Sequence, residues 1–312
     1  MKKGKYRDRM AYGRNALPAC TLNVRRNCAR IPLKLFNDQV IPRESRSISW
    51  LEHVLRRDRL LVGAFLLTVT IVSWIYILSG AGMDMTALEM THPKKSGMDM
   101  NMVMPVNWDL SYAVMMYFMW WVMMIAMMLP SATPAILLSA ALNRRSSADK
   151  PPFGSAAVFT LGYLLAWALF SLAAILAHWL LEQAAMLSML MESSSSILSG
   201  VLLLLAGAWQ FSPIKQSCLK HCQSPIEFLS QHRRPGNGGA LLMGLHHGVY
   251  CLGCCWFLMA LLFVGCVMNL YWILGLAIYV YLEKVLAAGS SLGKVVGYLL
   301  IFWGAGLIVA NL

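Results

Sequence analysis

Charge is what this chain has least of: Asp, Glu, Lys and Arg make up 13% of its 312 residues, against 58% apolar ones. Soluble domains run nearer a quarter charged, so composition excludes a free-standing soluble fold and predicts an all-α, polytopic membrane helix bundle. Acid is scarcer than base, 14 Asp and Glu beside 26 Lys and Arg, for a net charge of +12. Spread over a folded face, that excess would suit nucleic acid. Instead fifteen of the basic residues precede residue 60, and most others sit in two segments between apolar runs. Positive charge kept on the cytoplasmic side has this distribution, and the expected partner is the lipid bilayer, not nucleic acid. Also missing are a Walker loop, a G-x-G-x-x-G after a strand and a G-x-S-x-G, which argues against an ATP-driven pump. No cleavable signal peptide is visible, because more than fifty basic and polar residues precede the first apolar run.

Apolar runs are plentiful. They fall at about 60–80, 110–129, 154–180, 197–213, 240–264, 267–283 and 295–312, which predicts about seven transmembrane helices, six to seven if the last is discounted. Lys and Arg between these runs number 2, 3, 0, 4, 0 and 2; the alternation predicts a cytoplasmic N-terminus and an outward C-terminus. Residues 1–49 mix Arg, Asn, Pro and Ser without helical or strand period and read as a basic cytoplasmic arm, disordered or lying on the membrane. Residues 50–312 form the bundle, with 50–59 as an amphipathic lead-in. A Met-rich loop, 82–108, faces outward and a Cys-containing loop, 212–239, faces the cytoplasm. Pro130 and Pro134 are expected to end the second span, with Ser131 and Thr133 satisfying freed backbone groups.

The outward loop carries Met83, Met85, Met90, Met98, Met100, Met102 and Met104 with His92, and GMDM occurs twice, at 82–85 and 97–100. Thioethers are neutral, soft ligands that survive oxidising surroundings and favour Cu(I). The competing reading is a flexible loop packed on the membrane surface. In the second span Met115, Met119, Met123 and Met127 repeat every four residues, beside Met116, Met124, Met128 and Trp120. That spacing serves a relay of thioethers or ordinary helix packing alike.

The segment HHGVYCLGCCW, 246–256, sets imidazoles and thiols inside a run, 240–265, without a single charged residue. Wound as a helix, His247, Cys251, Cys254 and Cys255 lie at i, i+4, i+7 and i+8, one face. At 1.5 Å per residue His247 lies about 10 Å into the span and Cys255 about 22 Å. Ionisable groups at such depth are costly and mark a site. Cu(I) is the first candidate, zinc a possible alternative, and reversible disulfide chemistry the second reading. Cysteine is also a common buried residue, so plain packing in a non-catalytic assembly subunit is a third. Just upstream, SPIKQSCLKHCQSP at 212–225 holds Cys218-x3-Cys222. A helical turn there would put both thiols on one face, with Lys215 and Lys220 favouring thiolates. Gly244, Gly248 and Gly253 predict close approach of a neighbouring helix. The adjacent pair Glu283-Lys284 at the end of an apolar run reads as an interfacial anchor. Cys20, Cys28, Cys218 and Cys222 fall on the cytoplasmic side, where thiols stay reduced.

In these motifs the chain resembles a bacterial family of predicted metal-binding integral membrane proteins, a domain of unknown function sometimes labelled copper chaperone. The matching pieces are RRDRLL at 56–61, WWVMMIAMMLPSATP at 120–134, WQFSPIKQSCLKHCQSP at 209–225, and GVYCLGCCWFLMALLFVGCVMNLYWI at 248–273 followed by EK at 283–284. They span roughly residues 50–290 in order. The resemblance implies a multi-pass protein of the bacterial inner membrane that holds metal on His247, Cys251, Cys254, Cys255, Cys218 and Cys222 and on Met83, Met85, His92, Met98, Met100 and Met102. The expected activity is binding and handling of Cu(I), for transport or for delivery to a copper chaperone or membrane copper enzyme, and a non-enzymatic role fits this better than an enzymatic one. The alternative remains an intramembrane thiol–disulfide oxidoreductase.

Overall fold

The computed structural model describes residues 43–83, 86–91, 108–146, 152–187, 193, 195–224, 236–286 and 289–311. The chain divides into two units, Met1–Ser49 and Trp50–Leu312; of the basic arm expected to be disordered or membrane-bound over residues 1–49, residues 1–42 lie outside the described residues and 43–49 are helical. The described residues are helical, with no strand among them beyond an isolated bridge between Leu187 and Ser193. In chain order the helices are α1 (Arg43–Leu78), α2 (Ala87–Thr91), α3 (Leu110–Ser146), α4 (Pro152–Gln183), α5 (Ser196–Gln210), α6 (Pro213–Gln223), α7 (Gly236–Ala260), α8 (Leu270–Val285) and α9 (Gly289–Val309). A 3₁₀ turn, Leu261–Phe263, follows α7.

Five stretches are long and apolar enough to cross a membrane: Arg59–Leu78, Leu110–Leu142, Gly154–Gln183, Gly236–Phe263 and Gly289–Val309. A sixth is reached only if α5 and α6, bent by 64°, are taken as one. The run at 197–213 therefore does not make a straight span. Pro213 has no N–H to extend α5, and the Ser212 hydroxyl accepts from Ile214 N to start α6 in a new direction. α8, with 16 residues, falls short of the roughly 20 needed to span on its own. Large apolar side chains such as Leu110 and Phe302 stand more than 80% exposed, a surface suited to hydrocarbon rather than water.

The prolines do not end the second span; α3 runs through both to Ser146. The Ser131 hydroxyl donates back to Met128 O at 2.8 Å and that of Thr133 to Leu129 O at 3.1 Å, which steadies the turns the prolines disturb. At its start, Asp109 accepts from Tyr112 N and Ser111 Oγ, and these bonds hold its carboxyl below the usual carboxylate range.

Two tight seams fix the bundle. α4 and α7 meet backbone to backbone, where a Cβ on Gly244 would stand 1.9 Å from Phe159 O and one on Gly162 2.1 Å from Leu241 O. This is the close approach expected of the α7 glycines. α5 and α9 meet the same way around Gly200 and Gly304. Met116, Met119, Met123, Met124, Met127 and Met128 are all at most 1% exposed, with Trp120 and Trp167. These six α3 methionines are therefore core residues, while Met115 is half-buried.

Candidate thiol and metal centre

The buried face of α7 carries His247, Cys251, Cys254 and Cys255 together, as helical spacing requires. Their first bonds are local. The thiols of Cys254 and Cys255 donate to Cys251 O at 3.0 and 2.9 Å, one turn back. Such bonds satisfy a buried S–H and leave the Cys251 sulfur free to accept from elsewhere.

A second helix completes the group. α6 is helical, so Cys218 and Cys222 lie one turn apart and both face α7. The Cys218 sulfur packs on Gly253, where a Cβ would stand 2.6 Å from it. The Cys222 thiol lies close enough to those of Cys251 and Cys254 to interact with both. The His221 ring, stacked on Tyr250 at 4.3 Å, holds α6 in this register, and just before it Trp209 Nε1 of α5 donates to Gly253 O at 3.2 Å. All of these cysteines are free.

The charge at the centre comes from α8. Lys284 is 6% exposed, and its ammonium donates to Cys251 Sγ at 2.9 Å and Ser131 Oγ at 3.2 Å, with Met128 Sδ at 3.9 Å. The Tyr163 hydroxyl stands 3.2 Å from the same sulfur and donates to Met128 O. The interfacial-anchor reading of Glu283-Lys284 is thus overturned: both side chains are buried, and successive residues of α8 serve two different polar clusters.

A profile described as PpoB2, copper chaperone, matches residues 117–307 of this chain. The chain belongs to that family. The match takes in α4 to α8 complete, and therefore every cysteine, lysine and tyrosine just described. It starts later than the resemblance drawn from motifs and extends through most of α9. Neither a curated protein nor a solved structure matched the chain.

In this copper chaperone family member the second cluster lies beside the first. Lys215 pairs with Glu283 Oε1 at 2.6 Å, and also donates to Gln210 Oε1. Tyr279 OH donates to Glu283 Oε1 at 3.1 Å. Lys215 does not serve the α6 thiols, as its position in the sequence suggested; the lysine that meets a thiol is Lys284, on Cys251 of α7. Glu283 Oε2 and Gln210 Nε2 are buried without hydrogen-bond partners.

Among the described residues, no three His, Cys, Asp or Glu side chains are arranged as a ready ion cage. The reason is visible in the bonding, since two of the thiols point at a carbonyl rather than at a shared centre. His247 sits on the buried face with its ring 5.9 Å from that of Tyr163. Of the Met-rich loop, Met83 packs against the core, while Met85, His92, Met98, Met100 and Met102 lie outside the described residues. Lys284, Tyr163, Met128 and Ser131 were not marked as site residues by the sequence. A lysine closing an apolar run was the one available signal.

Proposed function

We propose that this protein is a bundle embedded in the bacterial inner membrane, N-terminus in the cytoplasm, that takes Cu(I) as its cargo on Cys222, Cys251 and Cys254. Cys255, His247 and Cys218 are alternate donors at the rim. The observation that carries this reading is the meeting of Cys222 from α6 with Cys251 and Cys254 from α7, beside a buried ammonium. Thiolate is the soft ligand Cu(I) prefers. Loading needs only that the Cys254 thiol turn from Cys251 O toward Cys222. Each thiol that binds loses its proton, so a two- or three-thiolate Cu(I) complex is anionic; Lys284 supplies the balancing charge without a competing lone pair. Tyr163 and Ser131 orient Cys251 and Lys284.

The direction of handling follows from softness and depth. The Met-rich segment 82–108 collects Cu(I) outside, the buried thiols hold it, and Cys218 with Cys222, on the short helix after the 64° bend, hands it to a copper chaperone or a membrane copper enzyme. Zinc would demand a fourth, tetrahedral donor, for which His247 is the candidate.

Metal content of the detergent-purified protein, prepared without oxygen from copper-fed cells, tests this. Copper near one per chain that falls in a Cys251/Cys254/Cys255 triple serine variant, and in Cys222→Ser, supports it. A metal-free wild type overturns it. An interconvertible disulfide with activity that survives copper chelation would put thiol–disulfide exchange in its place.

A further inference from the structure

Both ends of α6, the short helix that carries Cys218 and Cys222, are tied to one residue of α8. In its first turn Lys215 reaches the Glu283 carboxylate at 2.6 Å. At its last residue Gln223 Nε2 donates to the main-chain carbonyl of the same Glu283 at 2.9 Å, and to Leu286 O at 3.2 Å. At 1.5 Å per residue the two ties stand about 12 Å apart along α6, and both thiols lie between them.

The contact is built on what a helix end lacks. The last turn of a helix leaves carbonyls without partners inside the helix, and Glu283 O lies in that turn of α8. A side-chain amide nitrogen carries two hydrogens, and here each finds a carbonyl of its own. Leu286 O is further fixed by Gly289 N at 3.0 Å. The first residue of α9 then closes over the contact: a Cβ on Gly289 would stand 1.9 Å from Glu283 O and 2.6 Å from Gln223 Nε2. No side chain larger than hydrogen fits there, so α6, α8 and α9 meet around a single amide. Cys222 is the neighbour of Gln223 in the chain, and Lys284, which meets Cys251, is the neighbour of Glu283. One hydrogen bond therefore sets the main chain under Cys222 relative to the main chain under Lys284.

We propose that Gln223 is a positioning residue of the thiol centre: by clasping the end of α8 it fixes the last turn of α6 and so brings Cys222 to Cys251 and Cys254. It donates no ligand itself. Cys251 and Cys254 come from one helix and share a face by period alone, whereas Cys222 comes from another helix and has to be placed. With the clasp closed, Cu(I) meets thiolates from both helices. Without it, only the pair on α7 remains, which suits two-coordinate Cu(I) in a weaker site of different shape. The copper part of this inference rests on the reading above; the placement of Cys222 does not.

Two measurements on the full chain, purified in detergent without oxygen, test this. Gln223→Met removes both donors at similar length, Gln223→Lys returns a donor to the helix end, and Cys222→Ser is the reference. The first measurement needs no metal: alkylation by N-ethylmaleimide, read at each cysteine by peptide mass spectrometry. Cys222 should react about tenfold faster in Gln223→Met, the factor that one or two net hydrogen bonds carry. Cys254 should be unchanged, and Gln223→Lys should stay close to wild type. The second is X-ray absorption of the Cu(I)-loaded protein. The sulfur count on copper should fall by one in Gln223→Met, as in Cys222→Ser, and the double variant should lose nothing more. If Gln223→Met does not fold by size exclusion, Gln223→Glu, of the same shape and without the donors, is read in its place. A lower melting temperature with unchanged alkylation and an unchanged sulfur count would make Gln223 a cap of α8 and nothing more, which overturns the proposal. Copper held by the wild type and indifferent to Gln223 overturns it too, while leaving the copper reading standing. A wild type that takes no copper, yet whose Cys222 is exposed by Gln223→Met, supports the placement and sinks the copper reading.

Discussion

The Lys284 ammonium lies 2.9 Å from the Cys251 sulfur, although α8 and α7 contribute them from positions 33 residues apart. A lysine this deeply buried needs a partner of opposite or potential negative charge. A thiol that becomes a thiolate when metal binds is such a partner. Under the proposed function, the helix packing that buries Lys284 also sets the charge that an anionic copper–thiolate complex would need.

Lys284→Met keeps the length of the side chain and removes its charge. Losing a charge-assisted bond to the thiolate costs about 1.5–3 kcal/mol, so Cu(I) affinity should fall roughly ten- to a hundredfold. Competition with a colourimetric Cu(I) chelator reads this, and unchanged affinity would remove Lys284 from the site.

The Lys215–Glu283 pair, 0% and 1% exposed, makes a prediction about stability instead. Lys215→Met leaves Glu283 buried and unpaired, at a cost of about 3–5 kcal/mol. The double variant Lys215→Met/Glu283→Gln removes both charges and should recover most of the loss. Thermal unfolding in detergent checks it; a double variant worse than the single would contradict the pairing.

Two glycines should respond with opposite sign. Gly244→Ala drives a methyl into Phe159 O, 1.9 Å from the Cβ position, and overpacking of this kind costs about 1–3 kcal/mol. Around Gly275 nothing lies within 4 Å, so Gly275→Ala should gain about 0.5–1 kcal/mol of helix stability. Equal responses would argue against the α4–α7 seam.

Asp109 gives a pH test. Its carboxyl is held below the usual range by its bonds to Ser111 and Tyr112, so the folded chain prefers it ionised. Such a group stabilises above its unfolded pKa, about 3.9, and the benefit disappears as pH falls through its lower folded value. Unfolding of wild type and Asp109→Ala should differ at neutral pH and converge in acid. A gap that persists below that range would mean the cap does not act through the carboxylate.

Much of the thiol face was legible beforehand. Helical period alone puts His247, Cys251, Cys254 and Cys255 on one side of α7, because 3.6 residues per turn admits no other arrangement. Cys218 and Cys222 follow the same rule once Ser212 and Pro213 start a helix. The number of long helices was less legible. Hydropathy sees the run at 197–213 as continuous, whereas the missing N–H of Pro213 and the Ser212 cap turn the chain there. Pro130 and Pro134 misled in the opposite sense, since a helix packed on neighbours tolerates a proline that an isolated one does not.

The sequence by itself determined the all-helical, apolar character of the chain and the faces on which its cysteines lie, since both follow from local composition and period. Tertiary structure alone decided which faces meet. Glu283 and Lys284 look alike as adjacent charges at the end of an apolar run, yet side chains one residue apart on a helix point about 100° apart. Packing sends one to Lys215, which also donates to Gln210, and the other to Cys251. No local pattern encodes that division, because the partners come from α3, α5, α6 and α7, which only the folded bundle brings to the same place.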